Sequence, residues 1–296
     1  MKNIFQFFSS IVILLIVTSN INAQEQEEPK SAAELAKELA NPNATLGTMA
    51  FPIDFVMFNG DLPDANKQFS TSINFQPSLP IPIAKGVNLF VRPFIPLILS
   101  QPYYGENGFE QKGINLGNIS ADVAVGKTWP SKTITILGVF AGFPTATDKD
   151  IRTSEVTIGP ELMVAQLFNW GAIGVMVNHA WGLSGKTDDE VDGDEFSIMN
   201  NIPRHTSITA GQYFYVVNLK NAWQITGQPT WAYNHNADKG SRFTFPVGTG
   251  VNKVVKFGKL PVKLTFQYWY YVAAPEAFGP QHQFRFQIAP VVPLPW

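Results

Sequence analysis

Four histidines, His179, His205, His235 and His282, are the side chains of this chain most apt for acid–base or metal chemistry near neutral pH. They are widely spaced, so no metal site is expected. His179 has Ser184 five residues further on. A base and a nucleophile two apart on a strand share a face, but five apart they occupy opposite faces about 16 Å from one another. That pair fails as a hydrolytic dyad, no Ser, His and acid constellation replaces it, and no catalytic residue is assigned. The glycines fit turns and form no phosphate-cradling loop, so no cofactor is expected either. The polar residues that stand out are instead Asp54, Gln76, Arg92, Asp122, Glu161, Asn178, Lys263, Gln267 and Arg285, each inside a segment that alternates polar with apolar.

What positions them is a set of strands. After Pro42 the chain shows period-2 alternation broken by turn residues at nearly regular intervals. Ile119, Ala121, Val123 and Val125 oppose Asn118, Ser120 and Asp122. Trp223, Ile225, Trp231 and Tyr233 oppose Gln224, Thr226, Gln228 and Thr230, and Phe284, Phe286 and Ile288 oppose Gln283, Arg285 and Gln287. Twelve strands are expected, over 46–58, 67–79, 87–99, 115–129, 132–144, 154–168, 171–184, 205–218, 221–234, 240–255, 260–274 and 281–294. They run well past the ~5–6 residues of soluble strands. Connections centred on Ile83, Pro130, Trp170, Lys220 and Phe257 are short. Those around Asp61, Glu106, Asp148, Asp192, Asp238 and Ala277 are longer, or richer in acidic residues and Gly. This alternation and an even strand count are the marks of a transmembrane antiparallel β-barrel with both termini periplasmic.

Composition agrees. Charged residues make up 15% of 296 residues, too few to cover a soluble domain of this size, and no internal apolar run is long enough for a spanning helix. The net charge of −2 gives no reason to expect a nucleic-acid partner. Residues 1–23 have the charged, apolar and small-residue order of a cleaved signal peptide. Zero Cys removes disulfides and thioether lipid anchoring. Residues 24–42 form a polar, Ala-rich periplasmic segment with a short amphipathic helix. Ser31 and Glu34 make a capping-box pair, Leu35 and Leu39 share a face, and Asn41-Pro42 stops the helix. The barrel then occupies 43–296. Residues 24–42 are either a solvated extension or a helix docked into the barrel or against its periplasmic mouth.

Tyr103, Tyr104, Trp129, Trp170, Trp181, Trp223, Trp231, Tyr233 and the run Tyr268 to Tyr271 gather toward strand ends, as in two interfacial girdles. The chain stops at Trp296, directly after the last strand, a terminal aromatic of the kind the barrel-insertion machinery reads. Pro77, Pro80 and Pro82 read as turn residues, whereas Pro93, Pro96, Pro160, Pro229 and Pro246 fall inside strands and call for bulges or irregular pairing.

The stretches SAAELAKELANPNATLGTMAFPIDF, LFVRPFIPLI, FPTATD, VTIGPELMVAQ, VMVNHAWGLSG and KFGKLPVKLTFQYWYYV resemble a bacterial outer-membrane family. Its members are often labelled "transporter" or "neuromedin U", and it looks related to outer-membrane proteins of the phenol meta-degradation pathway. The resemblance runs from about Ser31 to Trp296 and implies a Gram-negative outer-membrane barrel with a transport role, without naming a solute.

Charged residues facing lipid at the midplane would cost ~2–4 kcal/mol for Arg or Lys, so the nine polar residues above are expected to face the lumen. Both signs occur, which argues against a simple ion filter. They either line a water-filled path for a small solute, of hydrophobic or aromatic character, or pair into a network that fills a narrow barrel. The alternative is a barrel that transports nothing and binds a partner through acidic outer-loop residues Asp188, Asp189, Glu190, Asp192, Asp194 and Glu195.

Overall fold

The computed structural model describes residues 30–183 and 206–296. The expected signal peptide, Ser184 and the acidic residues Asp188 to Glu195 lie outside the described residues.

The alternation folds into twelve antiparallel strands closed as a barrel. They are β1 Gly47–Asn59, β2 Phe69–Ala84, β3 Val87–Gly105, β4 Ser120–Thr128, β5 Thr133–Gly142 and β6 Thr157–Phe168. Then come β7 Gly171–Gly182, β8 Ser207–Asn218, β9 (Trp223–Gly227 and Thr230–Asn234), β10 Phe243–Phe257, β11 Leu260–Ala273 and β12 Gly279–Val292. Two short pieces before β4, Gly108–Lys112 and Asn115–Leu116, also pair with β3. Each strand pairs with its sequence neighbours, and β12 returns to β1 from Asn59↔Gly279 to Gly47↔Val292. Closure leaves no sheet edge, so backbone donors and acceptors are satisfied within the ring, as hydrocarbon requires.

The faces divide by parity. Ile136 is 1% exposed while its neighbour Leu137 is 65% exposed. Phe51, Phe55, Leu162, Ile173, Val251 and Phe266 share the outward face and are likewise exposed. Covering a large apolar side chain is worth about 1.5–3 kcal/mol, so a whole outer surface of them requires a lipid solvent. Inside, Phe90, Ala124, Ile134, Ile136, Met163 and Ala165 pack as a core with Leu167, Met176 and Phe214. Gly174 makes room for this wall, since a Cβ there would come within 2.4 Å of the Phe214 ring.

Some strand limits differ from expectation. β2 runs on to Ala84, with Pro80 opposite Phe90 and Pro82 opposite Asn88, so the turn is at Lys85 and Gly86 rather than Ile83. These prolines are tolerated because the ladder from β1 ends at Thr48↔Ser78 and asks for no N–H beyond it. Pro246 does sit at a register shift, and Pro229 interrupts β9. The run Tyr268 to Tyr271 splits by parity: Tyr268 and Tyr270 face out, but Trp269 is 1% exposed and faces in, as does Tyr271. Outside, Trp129, Trp170 and Trp223 mark the short-turn end, with Lys127 over Trp129 at 3.8 Å and Lys253 over Trp223 at 4.9 Å.

Helix α1, Ala32–Glu38, carries the full capping box: Ser31 Oγ accepts from Glu34 N, and Ser31 N–H donates to the Glu34 carboxylate at 2.7 Å. Leu35 and Ala36 are buried against Ala222 and Val254, so the helix is docked on the barrel rather than solvated.

Candidate functional site

The barrel interior holds the chemistry, and the N-terminal segment closes part of it. On one side Gln224 of β9 donates to Ala36 O at 2.8 Å, and α1 rests on Val254 of β10. Seven residues past Ala36, Asn43 donates to Gly86 O at 3.2 Å and to Thr128 Oγ1 at 2.8 Å, while Asn88 donates to Asn43 O at 2.9 Å. Gly126 permits this approach, because a Cβ there would lie 2.6 Å from Asn43 Oδ1. In the ring β3–β4 stand opposite β9–β10, so the segment spans the mouth at the short-turn end.

Two charge networks occupy different walls. On β3, β4 and β6, Arg92 Nε donates to Asp122 Oδ2 at 2.6 Å and Arg92 Nη2 donates to Glu161 Oε1. Asn178 of β7 stands opposite Glu161 in register, and the Glu161 carboxylate is 1% exposed. On β12 and β1, Arg285 grips Asp54 through Nε at 2.6 Å and Nη2 at 2.8 Å. Gln283 and Asn74 each donate to Asp54 at 3.0 Å, Tyr271 donates to Gln283 Oε1 at 2.6 Å, and Arg285 lies over Trp269 at 4.6 Å. Fixing both lone-pair sets of a buried carboxylate this way is what makes its charge tolerable. Gln76 sits opposite Ala50 on the same inward parity and is exposed.

Lys263 and Gln267 belong to a third group that the sequence reading resolved only in part. Gln224, Asn252, Thr265 and Gln287 stand opposite one another across β9, β10, β11 and β12. Gln224 Oε1, both polar atoms of the Asn252 amide, Thr265 Oγ1 and Gln267 Nε2 are buried without a hydrogen-bond partner among the described residues. Each such atom costs about 1–3 kcal/mol. The Gln267 amide cannot escape by turning over, since its Oε1 already accepts from Gln228 N and Trp269 Nε1, both at 3.0 Å. Lys263, flanked by Val254 and Ala289, has no ion pair among the described residues.

The irregular pairing expected at Pro229 and Pro246 is found between β9 and β10, whereas the side-chain contacts around it escaped the sequence reading. Between Thr226↔Gly250 and Ala232↔Thr244 the β9–β10 ladder is open. From β8, Tyr213 OH donates to Pro246 O at 3.1 Å and Tyr215 OH to Gly248 O at 3.3 Å, so side chains satisfy carbonyls that the ladder leaves free. Nearby on the outward face, Thr209 Oγ1 lies 2.8 Å from both His179 Nδ1 and His235 Nε2, and Ser207 Oγ is 3.4 Å from His179 Nε2. His179 also contacts Trp181, with ring centroids 4.2 Å apart. Cross-strand parity, not sequence spacing, brings these together. No carboxylate completes a triad with them, and no cluster of three or more metal-ligating side chains occurs, among the described residues.

No protein-family model matches the chain, and neither does any curated protein sequence. Among solved structures it is similar to an outer-membrane channel from Pseudomonas putida F1, with a TM-score of 0.59 and 11% identity over 83% of this chain and 94% of that one. The NanC porin aligns with a TM-score of 0.48 and 7% identity over 82% of this chain and 100% of that chain. The transport unit of the autotransporter AIDA-I from Escherichia coli gives 0.41 and 13% over 91% and 100%. At such identity the likeness to the Pseudomonas channel is one of fold: this chain has the barrel architecture of a bacterial outer-membrane channel.

Proposed function

We propose that this barrel is a narrow outer-membrane channel, partly closed by its own N-terminal segment, for a small solute of hydrophobic or aromatic character. The observation that carries this reading is the apolar wall inside the barrel, where Phe90, Ile134, Ile136, Met163, Met176 and Phe214 occupy inward positions. A pore for hydrophilic solutes would line that surface with polar side chains. Support also comes from the charges, which satisfy one another: Arg92 with Asp122 and Glu161, and Arg285 with Asp54. In this reading Asp54, Gln76, Arg92, Asp122, Glu161, Asn178, Lys263, Gln267 and Arg285 form the polar side of the path. The short turns and both chain ends face the periplasm, residues 24–42 precede the barrel there, and β12 with the aromatic Trp296 after it is what the insertion machinery recognises.

The test is single-channel recording in planar bilayers together with phenol flux into liposomes, using the refolded chain and a variant lacking Ser31 to Asn41. The expected result is a small conductance and phenol flux in the full chain, with a larger conductance in the deletion. A barrel silent in both assays, with and without the segment, overturns the channel reading.

A further inference from the structure

We propose that the inner wall made by β9, β10 and β11 is a binding site for a small organic carboxylate, with Lys263 as its counter-charge and Asn252, Thr265 and Gln267 as its hydrogen-bonding partners. This deepens the channel reading by naming what the interior holds, and rests on it only for the route by which the ligand arrives.

Three independent facts converge on this wall. First, Asn252 and Thr265 are directly opposite in register, so their Cβ atoms are about 4.5–5.5 Å apart, and Lys263 and Gln267 flank Thr265 on the same inward parity. Second, the unpartnered atoms form a mixed set. Asn252 Nδ2, Thr265 Oγ1 and Gln267 Nε2 can donate, and Asn252 Oδ1 can accept; Asn252, Thr265 and Gln267 are 1%, 2% and 0% exposed. Buried polar atoms in folded proteins are ordinarily satisfied, so several unpartnered ones in one row mark a place where a bound polar group would complete the hydrogen bonding. Third, among the described residues Lys263 has no carboxylate partner, unlike Arg92 and Arg285 in the same interior.

The chemistry of this set selects the ligand. One ammonium with neutral amide and hydroxyl donors balances one negative charge; a phosphate dianion would be left half compensated. The ammonium repels a metal cation. The cross-strand neighbours of Lys263, Val254 and Ala289, are apolar and compete for no charge, and Val254 is already covered by α1, so the body of the molecule must be compact. Lys263 has a long side chain that can swing to admit it, while Gln267 is held in place by its two hydrogen bonds. The class is therefore a monocarboxylate with a compact apolar or aromatic body.

Equilibrium dialysis of the refolded full chain in detergent, with labelled benzoate and with benzyl alcohol as its uncharged counterpart, tests this. Benzoate is expected to bind at least about ten-fold more tightly than benzyl alcohol, the size of one charge-assisted contact. Lys263→Met should abolish that preference without changing benzyl alcohol binding, and Lys263→Arg should retain most of it. Should Lys263→Met fail to form a barrel, Thr265→Val, which keeps shape and charge, is expected to weaken benzoate selectively. Equal binding of the two probes, or a benzoate preference that survives whichever of Lys263→Met and Thr265→Val folds, overturns the proposal and leaves water as the partner of the buried atoms. Phenol flux without benzoate preference removes the site and keeps the channel. Benzoate preference without flux removes the channel and keeps the site.

Discussion

The Gln224 side-chain amide donates to the backbone carbonyl of Ala36 at 2.8 Å, across 188 residues of sequence. The contact ties an inward position on β9 to the N-terminal helix and so holds that segment over the barrel mouth. The contact is buried on both sides, and because Ala36 O also accepts from Ala40 N at 3.2 Å, loss of the side-chain donor removes the tie to the barrel wall while the carbonyl keeps its helical bond. Gln224→Leu is therefore expected to weaken docking by about 0.5–1.5 kcal/mol, the net worth of one hydrogen bond. Limited proteolysis of the refolded barrel should then cut more quickly near Lys30 and Lys37, while the strands stay protected. Unchanged cleavage would mean that Leu35 and Ala36 packing alone holds the helix.

Acid should loosen the same segment. The Ser31 backbone N–H, with help from the Ser31 hydroxyl, holds the Glu34 carboxyl below its ordinary 4.5. A carboxylate whose folded pKa is depressed contributes its stabilisation fully above the unfolded value and loses it as pH falls through the folded one. The helix cap is thus intact at neutral pH and frays below about 4.5. The measurement is protease sensitivity of residues 30–41 against pH. Glu34→Gln should flatten the profile; a variant as acid-sensitive as the parent would place the titration elsewhere.

How far these features were legible depends on the physical signal each leaves. The β12 positions Phe284, Phe286 and Ile288 announce their strand because one face meets lipid and the other the interior. β5 carries no such period: Ile134 and Ile136 pack inside while Leu137 and Val139 face out, so both faces are apolar. Pro80 and Pro82 read as turn residues, since local rules cannot show that the neighbouring ladder stops at Ser78. Leu35 and Leu39 reveal a buried face but not the surface it meets, which Ala222 and Val254 supply from the far end of the chain. Asn252 and Thr265 share a row only through register, and register between strands is a tertiary fact.

Arg92 provides the sharpest energetic test. It is the one described cation bonded to both Asp122 and Glu161, so Arg92→Met leaves the buried Glu161 and half-buried Asp122 carboxylates without their counter-charge. Breaking a buried pair by removing one partner costs about 3–5 kcal/mol. Urea unfolding of the barrel in detergent should show a loss of that order. Replacing all three residues by apolar ones of similar size should recover most of it, because the penalty belongs to the orphaned charges. A triple variant as unstable as Arg92→Met would mean that the network specifies the fold instead of merely tolerating its own charges.

The open stretch of the β9–β10 ladder gives the last prediction. Pro246 O and Gly248 O lie where β9 offers no N–H, and the hydroxyls of Tyr213 and Tyr215 satisfy them at 3.1 Å and 3.3 Å. Neither carbonyl can turn to water at this depth, and a backbone group unsatisfied in hydrocarbon is costly. Tyr213→Phe and Tyr215→Phe keep the rings and remove only the hydroxyls, so each is expected to destabilise the barrel by roughly 1–3 kcal/mol. The effect should be local as well. Amide hydrogen exchange should quicken around Gly227 to Trp231 and Phe245 to Thr249 but not in β1 or β12, whose ladder runs nearly unbroken. If both variants match the parent in stability and exchange, the two hydroxyls are incidental and the seam is held by Gln267, which accepts Gln228 N from the inner side.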